Sequence, residues 1–449
     1  MNLAKPGYLF SNQDLYRLCV PLIIEQLLNV TVGLADSVMV ASAGESAVSA
    51  VSLVDTVMVL LINVFAALAT GGAVVAGQYL GRRDEKKACQ ATNQLYLFMG
   101  SFALAITAAM YLGRGLILHG VFGKIDADVM LQARNYLLIV FASIPFIAIY
   151  NGGAAIFRAM GNSKVTMKIS LLMNAINICG NAILIYGFKL GVVGAAIPTL
   201  VSRIVAAVCV TALLRDQRLT LRLTKPFEFR FIKDMVKRIL YIGVPNGLEN
   251  SMFQLGKIMV LSLVTSFGTT AIAANAVSNT VALFQILPGM AMGLAIIAVV
   301  SQCVGAGEYE QVKYYTKKLL GWIYGGMLIV NVLIFFALPL IIRVYHLTPL
   351  TAETTRQILI YHGVCAMVLW PAAFSLPNAL RAANDVRFCM ITSILSMWIW
   401  RIGFSYVLGK GLGWGVFGVW VAMTIDWVCR LICFIWRWVR GRWKYQRLA

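Results

Sequence analysis

The sequence predicts an all-α integral membrane protein whose twelve transmembrane helices form two pseudo-symmetric bundles of six. Three observations support this fold class: hydrophobic residues make up 60% of the 449 residues, only 12% are charged, and apolar runs recur along the whole chain. Soluble domains carry about 25% charged residues, whereas a run of about 20 apolar residues crosses a bilayer as a helix. These values exclude a soluble multidomain protein.

Twelve apolar segments are long enough to span the hydrocarbon core, because each residue adds about 1.5 Å to a helix. The first segment contains Glu25 and Asp36, which argues against a cleavable signal peptide, so we expect it to be retained as a helix. The segments cover residues 17–39, 50–78, 91–112, 130–153, 164–186, 191–214, 238–264, 275–303, 315–341, 353–377, 387–408 and 415–437.

Lys and Arg are concentrated in every second connection between these segments. The even-numbered connections and their flanks contain 20 of them, whereas the odd-numbered connections contain five, with two more, Arg134 and Arg356, in their flanks. By the positive-inside rule, the even-numbered connections and both termini are cytoplasmic, as expected for a protein of the bacterial plasma membrane. The net charge of +20 therefore indicates orientation and contact with membrane lipids, and not nucleic-acid binding.

A polar and basic stretch, residues 215–237, separates the chain into two parts. We interpret it as a cytoplasmic linker, with a regulatory basic helix as the alternative. The predicted domains are an N-terminal lobe (1–214), this linker, a C-terminal lobe (238–437) and a basic cytoplasmic tail (438–449).

An internal repeat supports this division. When the second half of the chain is aligned with the first at one constant shift, Pro21 matches Pro245 and Glu25 matches Glu249, and several glycines and glutamines match as well. Because six helices per lobe is an even number, both lobes enter the membrane in the same direction. We therefore expect an axis along the membrane normal and a central path between the lobes.

Acidic residues inside the apolar segments are the first candidates for a functional site, because charge within a bilayer is costly and usually functional. On the first segment, Asp36 follows Glu25 by eleven residues, about three helical turns, and therefore shares its face, which also carries Asn29. For Asp426 we expect a local ion pair with Arg430. The five acids are Glu25, Asp36, Asp55, Glu249 and Asp426.

A second polar face lies on the fifth segment, where Asn174, Asn177 and Asn181 are spaced three and four residues apart. Asn177 and Asn181 are expected in the outer half of the membrane, together with Asp36 and with Thr199 of the sixth segment. A carboxylate, amides and a hydroxyl supply hard oxygen ligands for a cation such as Na⁺, or partners for a proton-binding carboxyl. The alternative is that these side chains only join helices, at about 0.6–2 kcal/mol each.

Further polar residues are candidates for a substrate cavity or a gate. For Glu25 and Glu249, lining an inner cavity and holding the first and seventh helices in place are open alternatives. The buried cations Lys257 and Arg401 neutralise acids or bind an anionic substrate, and His362 is either a group that titrates near neutral pH or a structural one. The candidates from the residues alone are Glu25, Asn29, Asp55, Glu249, Lys257, His362 and Arg401.

The sequence lacks the constellations that enzymes need. It has three histidines and no GxSxG, HExxH or glycine-rich phosphate loop. Its nine cysteines form no CxxC pair, so we expect free thiols that act as small apolar side chains. An enzyme is therefore excluded, and no cofactor is expected.

Several short motifs follow one another along nearly the whole chain, and their order and spacing are more specific than any one of them. They are Pro21 followed by GLADSVMVASAGESAVSAVSL (33–53), QYLG (78–81), the loops FRAMGNSK (157–164) and LRAANDVR (380–387), NICGNAILIYG (177–187), GAAIPT (194–199) and WIWRIGF (398–404). In these motifs the chain resembles the multidrug and toxic compound extrusion (MATE) family of the MOP superfamily, nearest its DinF-like branch. The glycine at 403 departs from a proline common in the family.

This resemblance implies a secondary active antiporter that exports amphipathic organic cations in exchange for H⁺ or Na⁺ by alternating access. The family's cation site maps onto the same four residues, Asp36, Asn177, Asn181 and Thr199. Asn181 stands where some members carry a second aspartate. One carboxylate fewer weakens Na⁺ binding, so the sequence favours H⁺.

The resemblance also bears on the C-terminal lobe. Gln254 lies near a position where some members carry an acid, and the tenth segment has no acid from Tyr361 to Asn378, which disfavours a second Na⁺ site. The alternative function is a flippase of the same superfamily for a lipid-linked or other lipid substrate, which needs a basic cavity; Arg203, Lys257 and Arg401 leave this alternative open. The expected partners are organic cations and membrane lipids, and the expected state is a monomer.

Overall fold

A computed structural model describes residues 7–123 and 125–446. Over these residues the chain is helical, with turns and no strand, and twelve helices follow the twelve predicted segments. In chain order they are α1 (Asn12–Ala41), α2 (Glu45–Gly81), α3 (Glu85–Leu112), α4 (Ala127–Phe141 and Ile144–Ala159), α5 (Ser163–Gly187), α6 (Val192–Leu214), α7 (Lys233–Thr265), α8 (Thr269–Gln285 and Leu287–Gly305), α9 (Tyr309–Val344), α10 (Pro349–Ala382), α11 (Val386–Gly411) and α12 (Gly415–Val439). The predicted all-α fold class is confirmed.

Two of these helices, α4 and α8, are broken by proline. The halves of α4 meet at 47°, and the second half has Pro145 in its first turn. The second half of α8 likewise has Pro288 in its first turn. Proline lacks an N–H group and has a fixed φ, so it starts a helix well and interrupts one that is already running.

Ten of the described helices are long and apolar enough to cross a membrane, and the two halves of α4 together make an eleventh. The seventh predicted span, α7, has 33 residues but fails this criterion because polar residues interrupt it. Such residues are tolerated in a membrane helix where they face protein or a cavity. They are Asn246, Glu249, Asn250, Gln254 and Lys257.

The chain forms two compact units. The N-terminal unit is Tyr16–Gly247, and the C-terminal unit is Leu248–Ala449 together with Met1–Leu15, as far as these ranges are described. The linker lies within the N-terminal unit because α3 holds it through polar side chains. Gln94 donates a hydrogen bond to the carbonyl of Arg230 (2.8 Å) and accepts one from the backbone N–H of Ile232 (2.9 Å).

The internal repeat is visible in the backbone of both units. Gly191 and Gly415, which the shift of the repeat aligns, both have positive φ, 57° and 59°. Three residues later, α6 and α12 pass the π-helical ends of α5 and α11 at Gly194 and Gly418. A Cβ atom at these two glycines would lie 3.0 Å and 2.9 Å from the neighbouring carbonyl oxygen. Each unit therefore repeats the same close helix contact.

Candidate functional site

The four residues of the predicted cation site lie together in the N-terminal unit. The side-chain N–H group of Asn181 donates a hydrogen bond to the carboxylate of Asp36 and lies 3.4 Å from Oδ1 of Asn177. Asn177 in turn donates to Oγ1 of Thr199 at 3.1 Å. One continuous chain of hydrogen bonds thus joins α1, α5 and α6.

Local sequence explains how α5 and α6 come this close. Gly180 lies against Pro198, and a Cβ atom at this glycine would be 2.7 Å from the proline ring. Because neither residue adds bulk at the crossing, Asn177 reaches Thr199 on the opposite helix. The hydroxyl of Thr199 also donates to the carbonyl of Ala195 (2.9 Å), which leaves its lone pairs free to accept from Asn177.

Asn181 is fully buried, and its side-chain oxygen has no hydrogen-bond partner among the described residues. An unpaired buried acceptor costs about 1–3 kcal/mol. A proton on Asp36 would supply a donor for this oxygen, and a Na⁺ ion would supply a positive charge. The donor set contains a single carboxylate, so it fits a proton or one weakly held monovalent cation.

A second carboxylate stands near this group. Asp55 of α2 accepts a hydrogen bond from the hydroxyl of Tyr136 at 3.2 Å. Arg203 of α6 interacts electrostatically with both Asp36 and Asp55 without forming a direct ion pair with either, and its guanidinium donates to Ser143 at 2.8 Å. Sequence reasoning missed Tyr136 of α4 and Ser143, which lies between the two halves of α4, because an isolated polar residue carries no sign of its partner.

Glu25 and Glu249 each form a buried ion pair within their own unit. Glu25 is 1% exposed and pairs with Arg158 at 3.0 Å, while its second oxygen accepts from Thr166 at 2.8 Å. Glu249 is 9% exposed and binds Arg381 through both oxygens, at 2.7 and 2.8 Å. The pairs join α1 to α4 and α7 to α10, so the geometry favours the holding role over cavity lining.

Two further candidates have structural partners. Asn29 accepts hydrogen bonds from Ser170 (3.0 Å) and Asn174 (3.3 Å), which ties α1 to α5. His362 is 2% exposed and bonds Oε1 of Gln285 at 2.6 Å. It also packs between two tryptophan rings. A histidine held in this way is a structural group.

Lys257 and Arg401 line a cavity of about 350 Å³ in the C-terminal unit. The sequence predicted both cations to be buried, but Lys257 is exposed and Arg401 is half-buried. Gln254 lies half-buried on the same helix as Lys257. Nearby, the expected ion pair between Asp426 and Arg430 is confirmed, with an N–O distance of 2.9 Å.

Comparisons with known proteins agree with this architecture. The MatE family model matches residues 21–183 and 245–407, two stretches with the same offset as the internal repeat. The chain is 27% identical over 445 residues to the uncharacterized transporter YisQ of Bacillus subtilis, covering 97% of this chain and 93% of that protein. It is 26% identical over 447 residues to the probable multidrug resistance protein YoeA of the same organism, covering 96% and 94%.

A solved structure has the same fold. It is the outward-facing conformation of a multidrug resistance MATE family transporter of the MOP superfamily, with a TM-score of 0.89 and 22% identity. The match covers 95% of each chain.

Proposed function

Because the chain belongs to the MatE family of multi-pass membrane transporters, we propose that it is a secondary active antiporter which exports amphipathic organic cations in exchange for H⁺ or Na⁺. It is a transporter and not an enzyme. Its relative YoeA is named a probable multidrug resistance protein, which supports an export role. The observation that carries the proposal is the hydrogen bond between Asp36 and the fully buried Asn181.

The charge of Asp36 would couple export of the organic cation to import of H⁺ or Na⁺. Asp36, Asp55 and Arg203 lie within electrostatic range of one another and have a formal net charge of −1 when both carboxyl groups are ionised. One monovalent cation neutralises this charge, so a bound organic cation and a coupling ion compete for it. Arrival of the coupling ion at Asp36 removes the counter-charge of the organic cation, which is then released.

We favour H⁺ as the coupling ion. The Asp36 group has four oxygen-bearing side chains, but only the carboxylate is charged, and a single carboxylate holds Na⁺ weakly. Asn181 donates to Asp36 through its N–H group, and its side-chain oxygen has no partner among the described residues. A proton needs only the carboxylate and a neighbouring acceptor.

The test is efflux of a fluorescent organic cation from proteoliposomes under an imposed pH or Na⁺ gradient. We expect a pH gradient to drive efflux in the wild type, and Asp36→Asn to reduce it to the level of protein-free liposomes. Asp128→Asn, the same change at an exposed acid of the same unit, is the matched control and should transport normally. Gradient-driven efflux that survives in Asp36→Asn would overturn the assignment of Asp36.

A flippase of the same superfamily is the second candidate, and the basic C-terminal cavity favours it. Translocation of a labelled lipid without efflux of small cations would support it. In both cases we place the chain in the plasma membrane of a bacterium, as a monomer with cytoplasmic termini. The DinF-like branch and the division of the lobes at 215–237 stay predictions from the sequence.

A further inference from the structure

We propose that the cavity in the C-terminal unit binds an oxyanion, a carboxylate or a phosphate, carried by an amphipathic molecule, with Lys257 and Arg401 as its charge partners. This site is separate from Asp36 and does not depend on ion coupling there. Helices α7, α8, α11 and α12 form its walls. Its volume, about 350 Å³, lies at the lower end of the range for small-molecule sites, about 300–1,000 Å³.

A single aromatic ring holds both cations at this cavity. The Nζ atom of Lys257 lies 5.1 Å from the ring centroid of Phe253, and Cζ of Arg401 lies 5.0 Å from the same centroid. A cation over an aromatic ring is attracted by its π-face. Phe253 therefore concentrates two positive charges in one place, despite their mutual repulsion.

Neither cation has an anionic partner in the part of the chain that the structure describes. No ion pair involves Lys257 or Arg401, and neither side chain donates a hydrogen bond to a described residue. Lys257 is accessible and Arg401 half-buried. An unpaired cation within a membrane protein is costly, so an anion bound here would be stabilised.

The neighbouring acids are already paired. Glu249 binds Arg381, and Asp426 binds Arg430 and the hydroxyl of Ser396, at 2.9 and 2.5 Å. Arg401 interacts electrostatically with Asp426 but does not reach it. Each of these two acids thus has an arginine as its partner. The positive charges of Lys257 and Arg401 are left without an acidic partner.

The polar lining offers hydrogen-bond donors. Oδ1 of Asn275 accepts the indole N–H of Trp420 at 3.0 Å. Because an indole N–H only donates, the amide oxygen must face the tryptophan, and the NH₂ group of Asn275 is left to donate elsewhere. Asn279, one turn further along α8, also lines the cavity. No acidic residue is among the lining residues, so the site selects an anion and not a cation.

The rest of the wall is apolar and favours an amphipathic ligand. Val260, Leu261, Leu283, Val419 and Met423 line the cavity beside the polar groups. An apolar tail packed against them adds binding energy in proportion to the area it buries. A membrane lipid with a phosphate headgroup and a free amphipathic acid both have this chemistry, and the experiment distinguishes them.

The test is equilibrium binding of radiolabelled decyl phosphate to the purified full chain in an uncharged detergent. We expect Lys257→Gln and Arg401→Gln each to weaken binding about tenfold, the effect of losing about 1.4 kcal/mol, and Lys257→Arg to retain it. Lys410→Gln, a matched change at an exposed cation of α11, should leave binding unchanged. Equal binding to the Lys257→Gln/Arg401→Gln double variant would overturn the proposal, as would equal binding of decyltrimethylammonium to the wild type.

A second variant tests the site without removing either cation, in case the glutamine variants do not fold. Asn279→Asp adds a negative charge at an exposed position of the cavity wall and removes no cation, so we expect it to abolish decyl phosphate binding. Unchanged binding to this variant would also count against the site. Asp36→Asn, in the other unit, should bind like the wild type, so failure of ion coupling and failure of anion binding are separate results.

The source of the anion is tested in nanodiscs. If a lipid headgroup occupies the site, the wild type will bind decyl phosphate more weakly in phosphatidylglycerol nanodiscs than in phosphatidylcholine nanodiscs. If a free amphipathic acid is the ligand, binding will be the same in phosphatidylglycerol and phosphatidylcholine nanodiscs. Either result supports an oxyanion site and identifies its occupant.

Discussion

Arg158 and Arg381 bring a positive charge to Glu25 and Glu249, and each of these pairs lies within one unit. Charged groups buried in this way are stable only when both partners are present, because each compensates the lost hydration of the other. Asp36, in contrast, has a neutral amide as its direct partner. We therefore expect Asp36, and not Glu25 or Glu249, to exchange one cation for another during transport.

At the residue scale, we predict that Glu25→Gln destabilises the protein by about 3 kcal/mol, because it leaves Arg158 buried without a counter-charge. Chemical unfolding in detergent measures this change. Glu310→Gln, at an exposed acid whose side chain is 78% accessible, is the control and should cost less than about 1 kcal/mol. Unchanged stability of Glu25→Gln together with altered transport would instead support a cavity role for Glu25.

Helices α5 and α11 both end in π-helical turns, and α6 and α12 pack against these ends at a glycine. The wider π-helical turn places backbone carbonyls next to the neighbouring helix. Any side chain at Gly194 or Gly418 would meet that backbone, and backbone does not move aside as a flexible side chain does.

At the element scale, we predict that Gly418→Ala lowers the free energy of unfolding by about 1–3 kcal/mol through overpacking. Gly100→Ala in α3 is the matched control, since a Cβ there would meet only the end of Ile149 at 3.6 Å. Alanine favours a helix over glycine by about 1 kcal/mol, so the control should be neutral or stabilising. Thermal unfolding of the two variants checks this, and equal midpoints would refute it.

The internal repeat relates the N-terminal half of the chain to the C-terminal half. The two stretches matched by the MatE model, 21–183 and 245–407, have the same offset as the two glycines that precede α6 and begin α12. Basic residues cluster at the even-numbered connections in both halves. Equivalent loops of the two halves are therefore expected on the same side of the membrane.

At the scale of the whole molecule, we predict that the linker is cytoplasmic and that the α5–α6 loop faces outward. A cysteine at Lys189 should react with a membrane-impermeant maleimide in intact cells, and a cysteine at the exposed Gln217 should react only after lysis. The background must lack the nine native cysteines, because Cys179 is exposed. Labelling of Gln217→Cys in intact cells would show that the linker is outside the cell and that the orientation is the opposite of the predicted one.

Sequence alone located all twelve helices, because hydrophobic runs are a local property of the chain. It also placed Asp36, Asn177, Asn181 and Thr199 at one depth, since helical periodicity and distance from the helix ends are local as well. Their hydrogen bonds agree with that placement. The role of these residues in transport stays a prediction.

Only the tertiary structure decided which partner each buried group has. Arg158 for Glu25, Tyr136 for Asp55 and Gln285 for His362 come from other helices, and their choice depends on how those helices cross. The excess charge of Lys257 and Arg401 became visible in the same way, once the nearby acids were seen to be paired. Hydrophobicity along the chain determines where helices form, but packing between distant segments determines which side chains meet.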